Sequence, residues 1–164
     1  MNQLPGNSPS ALYRQGISRG DWQRDPAQLS ALASLDRIQQ ALLEQTSSSL
    51  FGKIGLAFRD AEPVRGLYLW GGVGRGKTFL TDLLYESLPE QNKARWHFHR
   101  FMQGIHAELR SLSGQSDPLR TVAERIAAKT RVLCLDEFFV LDIGDAMVLG
   151  NLLKALFANG VCLL

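Results

Sequence analysis

Residues Gly71 to Thr78 read Gly-Gly-Val-Gly-Arg-Gly-Lys-Thr. The spacing G-x-x-x-x-G-K-[ST] constrains the fold more than any other stretch, because it works only where a strand enters a tight glycine loop that opens directly into a helix. The glycines let successive backbone N–H groups turn inward as a nest, where side chains would block the approach. The helix that follows points the positive end of its dipole at the same spot. A polyphosphate suits such a nest: Lys77 is placed to reach the β- and γ-phosphates, and Thr78 to offer its hydroxyl to magnesium. The flanks agree. Gly66-Leu67-Tyr68-Leu69-Trp70 reads as a short buried strand, and Lys77 to Leu88 as a helix carrying Phe79, Leu80, Leu83, Leu84 and Leu88 that Pro89 stops.

ATP is therefore the expected ligand, held by Gly71, Gly72, Val73, Gly74, Arg75, Gly76, Lys77, Thr78 and Phe79. Arg75 is expected to face solvent. The side chains of Phe79 and Trp70 are expected in the core rather than against adenine. Leu50-Phe51-Gly52-Lys53 is expected to lie over the base.

The rest of the chain alternates short apolar runs with helical patterns. Ser10 is a candidate cap for a short helix with Leu12 and Tyr13. Asp25-Pro26 supplies an N-cap and a first-turn proline, with Gln28 at the third position of a capping box. Leu29, Leu32, Leu35, Ile38 and Leu42 then mark an amphipathic helix to about Gln45, ended by Thr46-Ser47-Ser48-Ser49. Arg95 to Phe98 reads as a strand. A helix with Met102, Ile105, His106 and Leu109 on one face runs to near Gly114. Asp117-Pro118 opens a helix with Leu119, Val122 and Ile126. Val132-Leu133-Cys134-Leu135 reads as a buried strand, Asp142 or Asp145 starts a helix that Asn159-Gly160 ends, and Val161 to Leu164 begins a further strand. The pattern predicts an α/β fold with a parallel sheet flanked by helices: an N-terminal helical segment over 1–48 and a nucleotide domain over 49–164. Ending inside an apolar strand reads as a piece of a longer protein.

Asp136-Glu137 closes the third apolar run, at the carboxyl end of the sheet where open α/β folds bind ligands. Asp136 is placed to hold magnesium. Glu137 is placed to orient and deprotonate the attacking water, with Lys77 as the other catalytic group. A glutamate directly after the aspartate separates a hydrolase from most small-molecule kinases. His97 and His99, read on a strand, share one face, and a half-buried strand with satisfied histidines is expected ahead of a role near the γ-phosphate or a partner, with a metal site last.

The composition excludes several classes. The net charge is only +2, too small a bias to point to nucleic acid or an anionic membrane. No run approaches the roughly 18 to 20 apolar residues of a membrane span, and Met1 to Gln15 has no secretory h-region. Cys134 and Cys162, both in apolar runs, read as buried thiols in a reducing compartment, so the expected location is the cytosol.

Four stretches together carry a family likeness. Gly66 to Thr78, His97-Phe98-His99-Arg100-Phe101-Met102, Leu135-Asp136-Glu137-Phe138 and Asp142-Ile143-Gly144-Asp145-Ala146-Met147 strongly resemble the ZapE-like branch of the AAA+ P-loop ATPases. The His-Phe-His-Arg-Phe-Met stretch is the particular one. The resemblance implies a sheet ordered 5-1-4-3-2 with the fifth strand absent here, and sensor, arginine finger and lid beyond Leu164. A start so close to the domain leaves no room for a transit peptide, which favours the bacterial cytoplasmic members. Their implied partners are the division ring protein FtsZ and membrane-associated division machinery, with room for a homo-oligomer. The sequence departs from the family pattern at Phe139, usually polar, Leu141, usually Thr, and Gly144, usually Ala.

The leading reading is an ATPase that converts Mg-dependent hydrolysis into remodelling of a protein partner. Two alternatives remain open: an ATP-gated binding module with little turnover, and a DNA-loading AAA+ ATPase, against which the near-neutral charge counts.

Overall fold

The computed structural model describes residues 7–51 and 63–164, the side chains of 46–51 excepted. Residues Leu50 to Lys53, expected over the base, lie outside the described side chains. The chain divides into two compact units: residues up to 51 with Val64–Glu90, and Gln91–Leu164.

The first unit begins with α1, Pro9–Arg19. Its cap is Ser8, whose Oγ accepts from the Ala11 N–H at 3.2 Å, not Ser10 as the sequence reading has it. Pro9 at the first helical position fixes that start, and the Ser10 N–H donates instead to Asp36 Oδ1 at 2.9 Å. Trp22 lies on Gly16, where a Cβ would come within 1.9 Å of the indole, and donates its N–H to the Tyr13 carbonyl. Asp25 caps a 3-10 turn, Pro26–Gln28, which leads into α2, Leu29–Phe51. Leu32, Leu35, Ile38 and Leu42 are buried at the expected spacing, while Leu29 at the first residue stays partly exposed. α2 runs straight through Thr46 to Ser49. Ser and Thr cost a helix only a few tenths of a kcal/mol each, about half the penalty of Gly, so they do not stop one.

α3, Lys77–Ser87, buries Leu80, Leu83 and Leu84, and Leu88 turns extended before Pro89. The fully buried Gln39 of α2 donates to the Ser87 carbonyl at 3.0 Å, closing the end of α3. The strand expected over Gly66 to Trp70 does not form. Among the described residues, 63–70 carry no strand, and Tyr68 and Trp70 are 66% and 83% exposed, so Trp70 is not core. An apolar run becomes a strand only when a neighbour takes its backbone groups, and periodicity cannot supply that neighbour.

The second unit is a three-stranded parallel sheet: β1, Lys93–His97; β2, Val132–Asp136; β3, Cys162–Leu163. The order β1-β2-β3 reproduces the 2-3-4 portion of the expected sheet. β1 and β2 run in register from Lys93 opposite Val132 to His97 opposite Asp136. Parallel neighbours require helical crossovers. α4, Phe98–Ser111, and α5, Pro118–Ala127, join β1 to β2, and α6, Ile143–Ala158, joins β2 to β3. Asp117 and Asp142 cap α5 and α6 through the backbone N–H groups of Arg120 and of Gly144 and Asp145. Gly160, at φ 76°, ends the last helix. Phe98, Phe101, Met102, Ile105, Val122, Leu133, Leu149, Leu152 and Leu156 form one core beside the central strand. His106 of α4 and Asp145 of α6 pair across that core's rim at 2.6 Å. Both cysteines are buried and free.

Candidate functional site

The glycine loop belongs to the first unit. Gly71, Gly74 and Gly76 all sit at positive φ, 138°, 78° and 76°, where side-chain-bearing residues are strained. A Cβ added at Gly71, Gly72 or Gly74 would meet nothing within 4 Å, so the loop is open to solvent on those sides. Val73 is fully exposed and Arg75 faces solvent, as expected. Gly76 is the N-cap of α3 and makes no side-chain cap bond, which leaves the first N–H groups of that helix without a capping side chain. Lys77 folds back: its Nζ donates to the Gly71 carbonyl at 2.9 Å and the Gly72 carbonyl at 2.8 Å. Thr78, one residue on, is exposed.

The loop is buttressed from a residue that capping-box spacing assigned elsewhere. Gln28 does not return to its own N-cap; its Nε2 donates to the Arg75 carbonyl at 3.4 Å. A Cβ at Gly76 would come within 2.6 Å of that same nitrogen, the mobile end of a glutamine that can swing aside, so it is the positive φ that disfavours a side chain there. Phe79 packs inward as expected, edge-on to Trp22 at 4.7 Å and tilted against Tyr13 at 6.2 Å.

The acidic pair belongs to the second unit. Asp136 is the last residue of β2, its side chain 18% exposed. Arg95 of β1 grips it in a fork: Nε donates to Oδ2 at 2.6 Å and Nη2 to Oδ1 at 3.3 Å. Glu137 follows at φ 54°, in the left-handed region, and is exposed. That backbone costs of order 1–2 kcal/mol for a residue with a Cβ. Phe138 returns to the core against Phe98, with ring centroids 4.8 Å apart, whereas Phe139 and Leu141 are 70% and 84% exposed.

The histidine stretch departs from its sequence reading. β1 ends at His97, and Phe98 already begins α4. His97 and His99 therefore lie on different elements, not on one face of a strand. The cause is Phe98, Phe101, Met102 and Ile105, whose i, i+3, i+4, i+7 spacing buries a helical stripe from Phe98 onward. His97 and His99 are both exposed, and His99 pairs with Gln103 at 2.9 Å. Among the described residues no three His, Cys, Asp or Glu side chains gather as a metal cluster. The donors still fit magnesium, which takes one or two carboxylates plus substrate phosphates and water rather than an all-protein cage. Asp136, in the second unit, and the Thr78 hydroxyl, in the first, are each a hard oxygen donor of that kind.

Sequence reasoning missed Arg95 and Gln28. Arg95 was recoverable: in a parallel pair, Arg95 stands opposite Cys134, and Asp136 is two residues farther on the same face. Gln28 carried no such signal, because its partner lies 47 residues away in a loop.

Comparison with known proteins places these features in a family. The family model described as AFG1-like ATPase matches residues 7–164. The chain is 49% identical to Cell division protein ZapE of Escherichia coli (strain K12), over 95% of this chain and 44% of that protein. It is 31% identical to an uncharacterized Schizosaccharomyces pombe protein, over 94% of this chain and 41% of that one. It is 40% identical to Lactation elevated protein 1 homolog B of Danio rerio, over 60% of this chain and 22% of that one. The chain thus spans less than half the length of these relatives. No solved structure matches it. The ZapE-like resemblance read from the glycine loop and the His-Phe-His-Arg-Phe-Met stretch agrees with these matches, and the chain belongs to the AFG1-like ATPase family.

Proposed function

We propose that this chain is the ATP-binding part of an ATPase that couples Mg-dependent hydrolysis to remodelling of a protein partner in bacterial cell division. The observation that carries the reading is the glycine loop: three positive-φ glycines in a solvent-open loop, a helix start with no side-chain cap, and Lys77 resting on the loop's own carbonyls. The arrangement is charged and shaped for a polyphosphate before any arrives. On binding, Lys77 exchanges the Gly71 and Gly72 carbonyls for phosphate oxygens, and the N-terminal N–H groups of α3 donate to the phosphate. Thr78 and Asp136 would hold magnesium, which neutralises charge on the transferring phosphoryl group. Glu137, exposed at a left-handed turn, orients a water and accepts its proton.

The family membership and the likeness to a cell-division protein support the ATPase class and the division role. To the same proposal belong FtsZ as the partner, a cytoplasmic location, self-assembly and contact with division machinery at the membrane, each carried over from the family resemblance alone. Among the described residues no helix is long and apolar enough to cross a membrane.

Two substitutions test the reading. Lys77→Ala is expected to abolish ATP binding in calorimetry. Glu137→Gln should keep binding within about threefold yet lower steady-state phosphate release by 100-fold or more, of the order general-base removal brings. Undiminished release from Glu137→Gln would remove Glu137 from the chemistry. Co-sedimentation of the protein with FtsZ polymers, with ATP against ADP, tests the partner: no nucleotide-dependent difference would count against it.

A further inference from the structure

The carboxylate assigned to magnesium is already occupied by a cation from its own sheet. β1 and β2 are parallel, with Arg95 opposite Cys134 and His97 opposite Asp136. Alternate residues point to one face, so Arg95 and His97 stand on the same side of the sheet as Cys134 and Asp136. Arg95 must reach two residues along β2 to meet Asp136, about 6–7 Å of strand, which an extended arginine spans. It arrives with a fork, not a point charge. Nε and Nη2 address the two different oxygens, at 2.6 and 3.3 Å, with both side chains mostly shielded, 25% and 18% exposed. The fork matches a carboxylate in shape and holds it in one plane and rotamer.

We infer that Arg95 is a magnesium-responsive latch: its guanidinium stands in for the metal on Asp136, and arrival of magnesium with nucleotide takes at least one Asp136 oxygen from it. This rests on the assignment of Asp136 to magnesium. The physical reason is that one carboxylate cannot give both oxygens to an arginine fork and still present a full charge to a second cation. Two cations on one acceptor repel, and each weakens the other's hold. The latch has two consequences. Without nucleotide, Asp136 is held in place and its charge is compensated, so the strand end needs no ion to stay folded. With magnesium bound, Arg95 is loosened, so the state of the site is reported on β1, whose next residues lead straight into α4. Arg95 is a positioning residue, acting through Asp136.

The experiment titrates magnesium into the protein with a fluorescent ATP analogue, comparing wild type, Arg95→Gln, Arg95→Lys and Asp136→Asn, and follows thermal melting of the same samples without nucleotide. In Arg95→Gln the half-saturating magnesium concentration should fall by roughly threefold to tenfold, as loss of a competing charge-assisted pair predicts. Arg95→Lys, a charge without the fork, should fall between Gln and wild type. The nucleotide-free Arg95→Gln protein should melt lower, and magnesium nucleotide should raise its melting temperature by more than it raises that of wild type. A purely structural arginine would lower melting and leave the magnesium curve where it was. A curve for Arg95→Gln that superimposes on wild type, or moves to higher magnesium, overturns the latch. A wild type whose nucleotide binding ignores magnesium, or an Asp136→Asn variant that keeps the wild-type curve, overturns the role of Asp136 itself and the latch with it. Should Arg95→Gln fail to fold, the wild-type protein still decides. The Arg95 Nε–Hε nuclear magnetic resonance signal should move when magnesium nucleotide is added and stay when nucleotide is added with EDTA. A signal that is unmoved in both overturns the inference.

Discussion

At the scale of single residues, burial and charge set what each group can do. Cys134, fully buried in β2, has its thiol pushed up from 9.0 to about 12, chiefly by burial, with the neighbouring Arg95 pulling it down and Asp136 pushing it up. A thiol in that position is a small apolar side chain, not a nucleophile. In the native protein, iodoacetamide at pH 8 should leave Cys134 unmodified by mass spectrometry while labelling it fully in denaturant. The sign of its linkage to stability follows. Below pH 9 the thiol is protonated in both states and contributes no pH dependence. Between pH 9 and about 12 only the unfolded chain loses the proton, so stability falls as pH rises through that window. A Cys134→Ser or Cys134→Ala variant, compared in chemical melts from pH 8 to 11, should show a shallower fall.

At the scale of elements, the helix starts show what a sequence gives away. Asp117-Pro118 was legible, and Asp142 was one of two candidates with Asp145, because a cap works through local geometry alone, and each capping aspartate accepts from backbone N–H groups two or three residues on. Removing the cap in Asp142→Ala should cost about 1 kcal/mol in a urea melt, the usual worth of such a bond. Ser8 was harder, since Ser10 offers the same oxygen, and only Pro9 decides between them. The buried stripe of α2 was equally legible, because a period of three and four says which face is apolar without reference to anything else. What a local pattern cannot say is where an apolar run finds its partner. Gly66 to Trp70 has the composition of a strand and no ladder; Arg95 to Phe98 has it too, and the strand stops one residue early because Phe98 serves the core better from a helix. The same limit governs the candidate site. The glycine loop and Asp136-Glu137 are contiguous and stood out, whereas the groups gripping them, Gln28 and Arg95, come from 47 and 41 residues away.

At the scale of the molecule, the surface rather than the core sets behaviour in solution. Within the second unit, Phe139, Leu141, Ile143 and Met147 are 70%, 84%, 81% and 69% exposed, along the extended link after Glu137 and the first turns of α6. A net charge of +2 gives little long-range repulsion between copies. Apparent mass in light scattering should therefore rise with concentration, and the double substitution Leu141→Glu with Ile143→Glu should suppress that rise without lowering the melting temperature by more than about 0.5 kcal/mol equivalent, the usual range for surface positions. A concentration-independent mass for the unmodified chain would exclude this ridge as a source of association.

The backbone at Glu137 carries one more consequence. Left-handed φ is cheapest for glycine and tolerable for asparagine; glutamate has neither advantage. The chain thus places at the end of β2 a residue its own fold would not choose. Durability and chemistry pull in opposite directions at that one position. A screen for thermostable variants that scored melting alone would drift toward Glu137→Asn, and would select the sturdier protein by discarding the carboxylate proposed to activate the water.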